Sequence, residues 1–102
     1  MNQTLIEARK FLASIPDEKW GVGSYGTYGG QCCAVGHLGL AERMPYSGDL
    51  MGDMRRTTRG AVADLLGVAL TVINDGRDPR FQQPTPKARV LAALDECIAL
   101  AP

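Results

Sequence analysis

The side chains most able to do covalent or acid–base chemistry are Cys32, Cys33 and His37, with Asn74 and Asp75 further along the chain. A cysteine at the start of a helix can be held as its thiolate by the terminal amides. A histidine four residues after Cys33 falls on the same helical face. With Asn74 or Asp75 orienting the imidazole, Cys33 and His37 could form a thiol–histidine catalytic group. The competing description is a packed core, because free cysteine is among the most buried residue types. His37 is the only histidine, and thiol–histidine enzymes usually draw their base from distant sequence. The core description is preferred, and an enzyme using Cys32 or Cys33 with His37 is kept as the alternative. A zinc site is disfavoured, since adjacent cysteines on a helix point about 100° apart and structural sites favour C-x₂₋₄-C spacing. Cys97 is already explained by the apolar stripe of its own helix, so no metal and no cofactor are expected.

Gly21-Val22-Gly23-Ser24-Tyr25-Gly26 matches G-x-G-x-x-G in letters. The dinucleotide motif needs a strand before the glycines and a helix N-terminus after them. Pro16-Asp17-Glu18-Lys19 precedes this run instead, so an ordered structural loop is expected. Its Tyr25 and Tyr28 are candidate contact residues. Arg55, Arg56 and Arg59 form the densest basic patch, able to grip a phosphate backbone or an acidic partner. No aromatic residue interleaves with them, so base stacking is unsupported. Arg77, Arg80 and Phe81 make a second candidate contact loop, although such an aromatic more often ties a loop to the core.

Helices must position these residues. Leu5, Ala8, Leu12 and Ile15, with Phe11 beside them, give an amphipathic helix with Asn2 or Thr4 as cap and Pro16-Asp17 as stop. A second helix is expected from Cys32 to about Met44, stopped by Pro45. Cys33, His37, Leu40 and Met44 share one of its faces. A third runs from near Leu50 to Leu66, with Met51, Met54, Thr58, Ala61, Val62 and Leu65 buried and Gly67 as C-cap. Val68 to Ile73 fits a strand or a short helix. Asn74-Asp75-Gly76 is a turn. The last helix has Thr85 as N-cap and Pro86 at its first position, with Val90, Leu91, Leu94, Cys97, Ile98 and Ala101 as its apolar stripe. The expectation is a mainly α fold, a compact bundle of about four helices. It carries a Gly/Tyr-rich ordered loop with room for a short β-hairpin.

The 102 residues make one domain, 1–102, with no room for a second core. Eleven basic side chains balance eleven acidic ones, and both halves are near neutral. A domain that wraps nucleic acid usually shows a basic excess, so nucleic acid is a disfavoured partner. Five of the twelve glycines lie between Gly21 and Gly30, which makes the glycine excess local. No apolar run reaches membrane-span length and no secretory signal is visible, so no membrane partner is expected. Three cysteines with an adjacent pair suit a reducing cytoplasm.

Cys33-Ala34-Val35-Gly36 opening a helix, Asn74-Asp75 after an apolar stretch, and Thr85-x4-Val90-Leu91-x2-Leu94 together resemble a family of small bacterial and phage proteins of unknown function. The resemblance covers about residues 30–100. It implies a compact helical fold and no activity, and His37 is not a hallmark of that family. Small phage-related proteins often act by binding a host or defence component. The expectation is therefore a small, non-enzymatic cytoplasmic protein that binds another macromolecule, a protein before nucleic acid. The oligomeric state is left open.

Overall fold

The computed structural model describes residues 2–22, 33, 34, 37, 38 and 56–101. It is a mainly helical, compact bundle with a radius of gyration of 12.4 Å. Among the described residues there is no β-strand, and no helix is long and apolar enough to cross a membrane. The hairpin, the Tyr25 and Tyr28 contacts, Cys32, Arg55, most of the second predicted helix and the start of the third lie outside the described residues.

Helix α1, Asn2–Ala13, buries Leu5, Ala8 and Leu12 completely, with Phe11 and Ile15 packed at the edge. This is the face its spacing predicts. Thr4 lies inside the helix, so the expectation that it could cap the helix is corrected. A 3₁₀ turn, Asp17–Lys19, then delivers Trp20 into the core, where its Nε1 donates to the Ile15 carbonyl at 3.3 Å. Ala34, His37 and Leu38 are helical, and the His37 amide donates to the Cys33 carbonyl at 2.9 Å.

Helix α2 covers residues 56–66 and changes pitch within them. Residues 56–61 are α-helical, and Val62–Leu66 is a π-helical turn. Gly67 ends it with φ 71°, a left-handed conformation that favours glycine, as expected of a C-cap. Helix α3, Leu70–Asn74, resolves the open choice at residues 68–73 in favour of a helix. Leu70, Ile73 and Asn74 are the buried face, an i, i+3, i+4 pattern, while Val68 and Val72 are half-buried. Its C-terminus closes with paired bonds, Gly76 N–H to Ile73 O and Arg77 N–H to Val72 O, with Gly76 at φ 76°. Helix α4, Pro86–Leu100, starts as its sequence predicts: Thr85 Oγ1 accepts the Ala88 amide at 3.1 Å, with Pro86 in the first turn. Its face of Val90, Ala93, Leu94 and Cys97 is buried.

Helices α1 and α4 pack together, and α4 also holds α2 and α3. Arg9 and Asp95 bridge α1 and α4 through both carboxylate oxygens, but Asp95 is more than half exposed. Such a pair contributes at most about 1 kcal/mol. Burial of Leu5, Leu12, Val90 and Leu94 outweighs it, at roughly 1.5–3 kcal/mol per side chain.

Candidate functional site

Cys33 and His37 lie on one helical turn, and the buried amide of Asn74 holds the head of that turn. Asn74 is 0% exposed and its side chain joins three segments. Its Oδ1 accepts the Ala34 amide at 3.1 Å, at the head of the helical turn that carries Cys33 and His37. Its Nδ2 donates to the Gly21 carbonyl at 2.9 Å and to Asp75 Oδ1 at 3.1 Å. Cys33 is 3% exposed, and neither thiol in the described chain, Cys33 or Cys97, is at the surface. Burial pushes the Cys97 thiol up, and the neighbouring Glu96 charge adds to this, so that sulfur is held protonated. Among the described residues no group of three or more His, Cys, Asp or Glu side chains could hold a metal ion.

His37 is 9% exposed and sits against Trp20, with ring centroids 5.1 Å apart. Its Nε2 is 2.9 Å from the Lys19 carbonyl, which can only accept, so Nε2 carries the proton. That bond ties the 3₁₀ turn to the Cys33–His37 turn. Burial lowers the imidazole pKa below its ordinary 6.5, with the Lys19 carbonyl opposing in part. The unfolded chain therefore takes up a proton at His37 more readily than the folded one. Stability from the neutral ring is complete above pH 6.5 and is lost as pH falls from there through the folded-state value. Asp78 acts lower, because hydrogen bonds from Arg80 hold its carboxyl below 3.8. Urea midpoints should thus fall between about pH 7.5 and 5 in the wild type and stay flatter in His37→Gln. Equal pH slopes for the two proteins would contradict this role.

The loop after α3 turns inward. Phe81 is 6% exposed and belongs to the core. Arg80 donates to both Asp78 oxygens, and its Nη2 bonds the carbonyl of Leu66, the last residue of α2, at 2.8 Å. Phe81 thus ties the loop to the core, while the Arg80 side chain is about half exposed. The aromatic ring has apolar surface to bury, and the guanidinium meets an orphan helix-end carbonyl. Arg77 is exposed, with a 3.4 Å pair to Asp75 Oδ2. Asp75, considered as an orienting group for the imidazole, accepts from Asn74 and Arg77.

Arg56 and Arg59 are exposed, as their positions on α2 suggest. They rim an open groove of about 450 Å³, whose other lining residues are Gly60, Ala63, Ala69, Leu70 and Thr71. One wall comes from α2, including the π-helical turn, and the other from the start of α3. Arg59 has no ion pair among the described residues. Among the described residues the lining holds no acidic and no aromatic side chain. The groove can therefore attract an anion, and its described lining offers no ring on which a base could stack.

Reasoning from the sequence missed Thr71 and the small residues that open the groove, because two elements must meet to form it. It also missed Arg89. Arg89 lies on the i−4, i−8 row of Ala93 and Cys97, and a cation on that row in the first turn of a helix was the available signal. Compared with family models, curated proteins and solved structures, the chain shows no significant match.

Proposed function

We propose that the chain is a small, non-enzymatic cytoplasmic accessory protein that binds an acidic segment of another protein along the groove rimmed by Arg56 and Arg59. The observation that supports this is the division of labour among the reactive side chains. Cys33, His37 and Asn74 are buried, with His37 and Asn74 bonded to backbone, whereas Arg56 and Arg59 stand exposed beside an open groove. Neutral net charge favours a protein over a nucleic acid, and no aromatic side chain lines the groove among the described residues. The resemblance to small phage and bacterial proteins supports a modulator of a host or defence component.

The test uses the tagged full chain as bait beside Arg56→Ala/Arg59→Ala. Both side chains are exposed, so the double variant should stay folded, as checked by circular dichroism. A partner retained by the wild type should bind the variant at least about tenfold more weakly and should weaken with added salt. A partner that binds both forms equally would remove the groove as the contact surface.

A further inference from the structure

We infer that the last turn of α2 is a register switch, in which Leu65 and Leu66 exchange one place in the core, and that the Asp78–Arg80 pair latches it in its π-helical register. The buried face of α2 carries this. Thr58, Ala61 and Val62 are buried, and Leu66, at 8% exposed, continues them, while the adjacent Leu65 is only half-buried. A regular α-helix would reverse the two leucines. Leu65 lies seven residues after Thr58 and returns to within about 20° of its direction, whereas Leu66 falls about 80° away. The π-helical turn at Val62–Leu66 makes the difference, because it needs one more residue to close than an α turn. A leucine fills the same place in either register, so apolar burial nearly cancels between them.

The choice of register then falls to contacts outside the turn, and the structure supplies one at Leu66. Arg80 Nη2 donates to the Leu66 carbonyl at 2.8 Å, and Asp78, itself buried, holds the same guanidinium at 3.1 Å through Oδ1 and 2.8 Å through Oδ2. Closing residues 62–66 at α pitch would turn the end of the helix by roughly one residue's rotation, about 100°, and carry that carbonyl away from Arg80. The loop bearing the pair is fixed by Phe81 in the core and by Gln82 Nε2, which donates to the Asp78 carbonyl at 2.6 Å, so it does not follow the turn. Ala63 belongs to the turn and lines the groove opposite Ala69, Leu70 and Thr71, so the register also sets the shape of that wall. Its effect on binding rests on the groove reading above; the register exchange does not.

The test reads the register itself, on the ¹³C,¹⁵N-labelled full chain with no ligand present. Through-hydrogen-bond couplings should link the amide of residue 66 to the Ala61 carbonyl in the wild type, five residues back. Arg80→Met keeps the apolar stem but removes the guanidinium, and should move that coupling to the Val62 carbonyl, four residues back, with shifts at the Ala63 and Thr71 amides. Leu66→Ala should move it the same way by a separate route, since Leu65 then has the better claim to the core. If Arg80→Met does not fold, Asp78→Asn releases the same guanidinium and is read instead. A four-residue coupling in the wild type, or a five-residue coupling that persists in every folded variant, would overturn the switch. A change in Leu66→Ala without one on release of Arg80 would overturn the latch. These outcomes leave the groove reading to its own binding test.

Discussion

Asn74→Ala should lower the unfolding free energy by about 3–5 kcal/mol. The substitution strands the Ala34 amide and the Gly21 carbonyl, which lie 40 and 53 residues from Asn74 and are joined through its side-chain amide. The stranded buried amide of Ala34 costs about 1–3 kcal/mol, the half-buried Gly21 carbonyl adds a smaller loss, and the space left by the side chain adds to both. A domain of this size has roughly 5–15 kcal/mol in all, so about a fifth or more of its stability depends on this one side chain. Asn74→Asp keeps an acceptor for Ala34 but turns an oxygen toward the Gly21 carbonyl and the Asp75 carboxylate. It should therefore be no milder than the alanine. Urea denaturation with a fixed m-value checks both, and a loss under about 1 kcal/mol for Asn74→Ala would refute the bridging role.

Arg89→Ala is expected to cost about 2–4 kcal/mol. Its Nε and Nη2 donate to the carbonyl of Asn74, the last residue of α3, and its Nη1 donates to the Gln83 carbonyl at 2.9 Å. A cation in the first turn of α4 is opposed by that helix's own dipole, and the C-terminal end of α3 compensates for it. The guanidinium also lies so close to Gly76 that a Cβ there would approach Arg89 Cζ to 3.2 Å. The planar fork is what serves two carbonyls at once, so Arg89→Lys should recover less than half of the loss. Full recovery by lysine would show that charge alone suffices. Because Arg89 and the Asn74 side chain act on the same residue, the double variant should lose less than the sum of the singles.

Local chemistry made much of this architecture readable in advance. The Thr85-Pro86 start, the Gly67 stop, and the apolar rows of α1 and α4 each depend on residues within one or two turns of each other. Mainly helical class follows from them. The uncertain stretch at 68–73 was harder, since Val68, Leu70 and Val72 alternate like a strand. The deciding pattern was Leu70, Ile73 and Asn74, which places a polar residue on the buried face and is easily discounted for that reason. The π-helical turn at Val62–Leu66 has no evident local cause in the residue types.

The candidate site was legible as a set of residues but not as a set of roles. Cys33, His37 and Asn74 do come together, yet the amide faces backbone and the imidazole is tied to the Lys19 carbonyl. Spacing can bring a thiol and an imidazole onto one face without revealing whether solvent reaches them. Arg80 and Arg89 reach helix-end carbonyls 14 and 15 residues away, so their part as caps depends on how loops return to the bundle. Arg56 and Arg59 needed only α2 to be placed at the surface, but the groove beside them needed α3 as well.

The division between buried reactive groups and exposed arginines is tested most directly by native-state alkylation of Cys33, with the label assigned to that residue by fragment mass spectrometry. Iodoacetamide should modify Cys33 only through global opening, at a rate suppressed by roughly a thousandfold or more relative to the urea-unfolded chain. Fast labelling of the native protein at Cys33, persisting as the pH is lowered toward 6, would reveal an accessible low-pKa thiolate. That result would contradict the structural assignment of Cys33 and His37 and return them to catalysis.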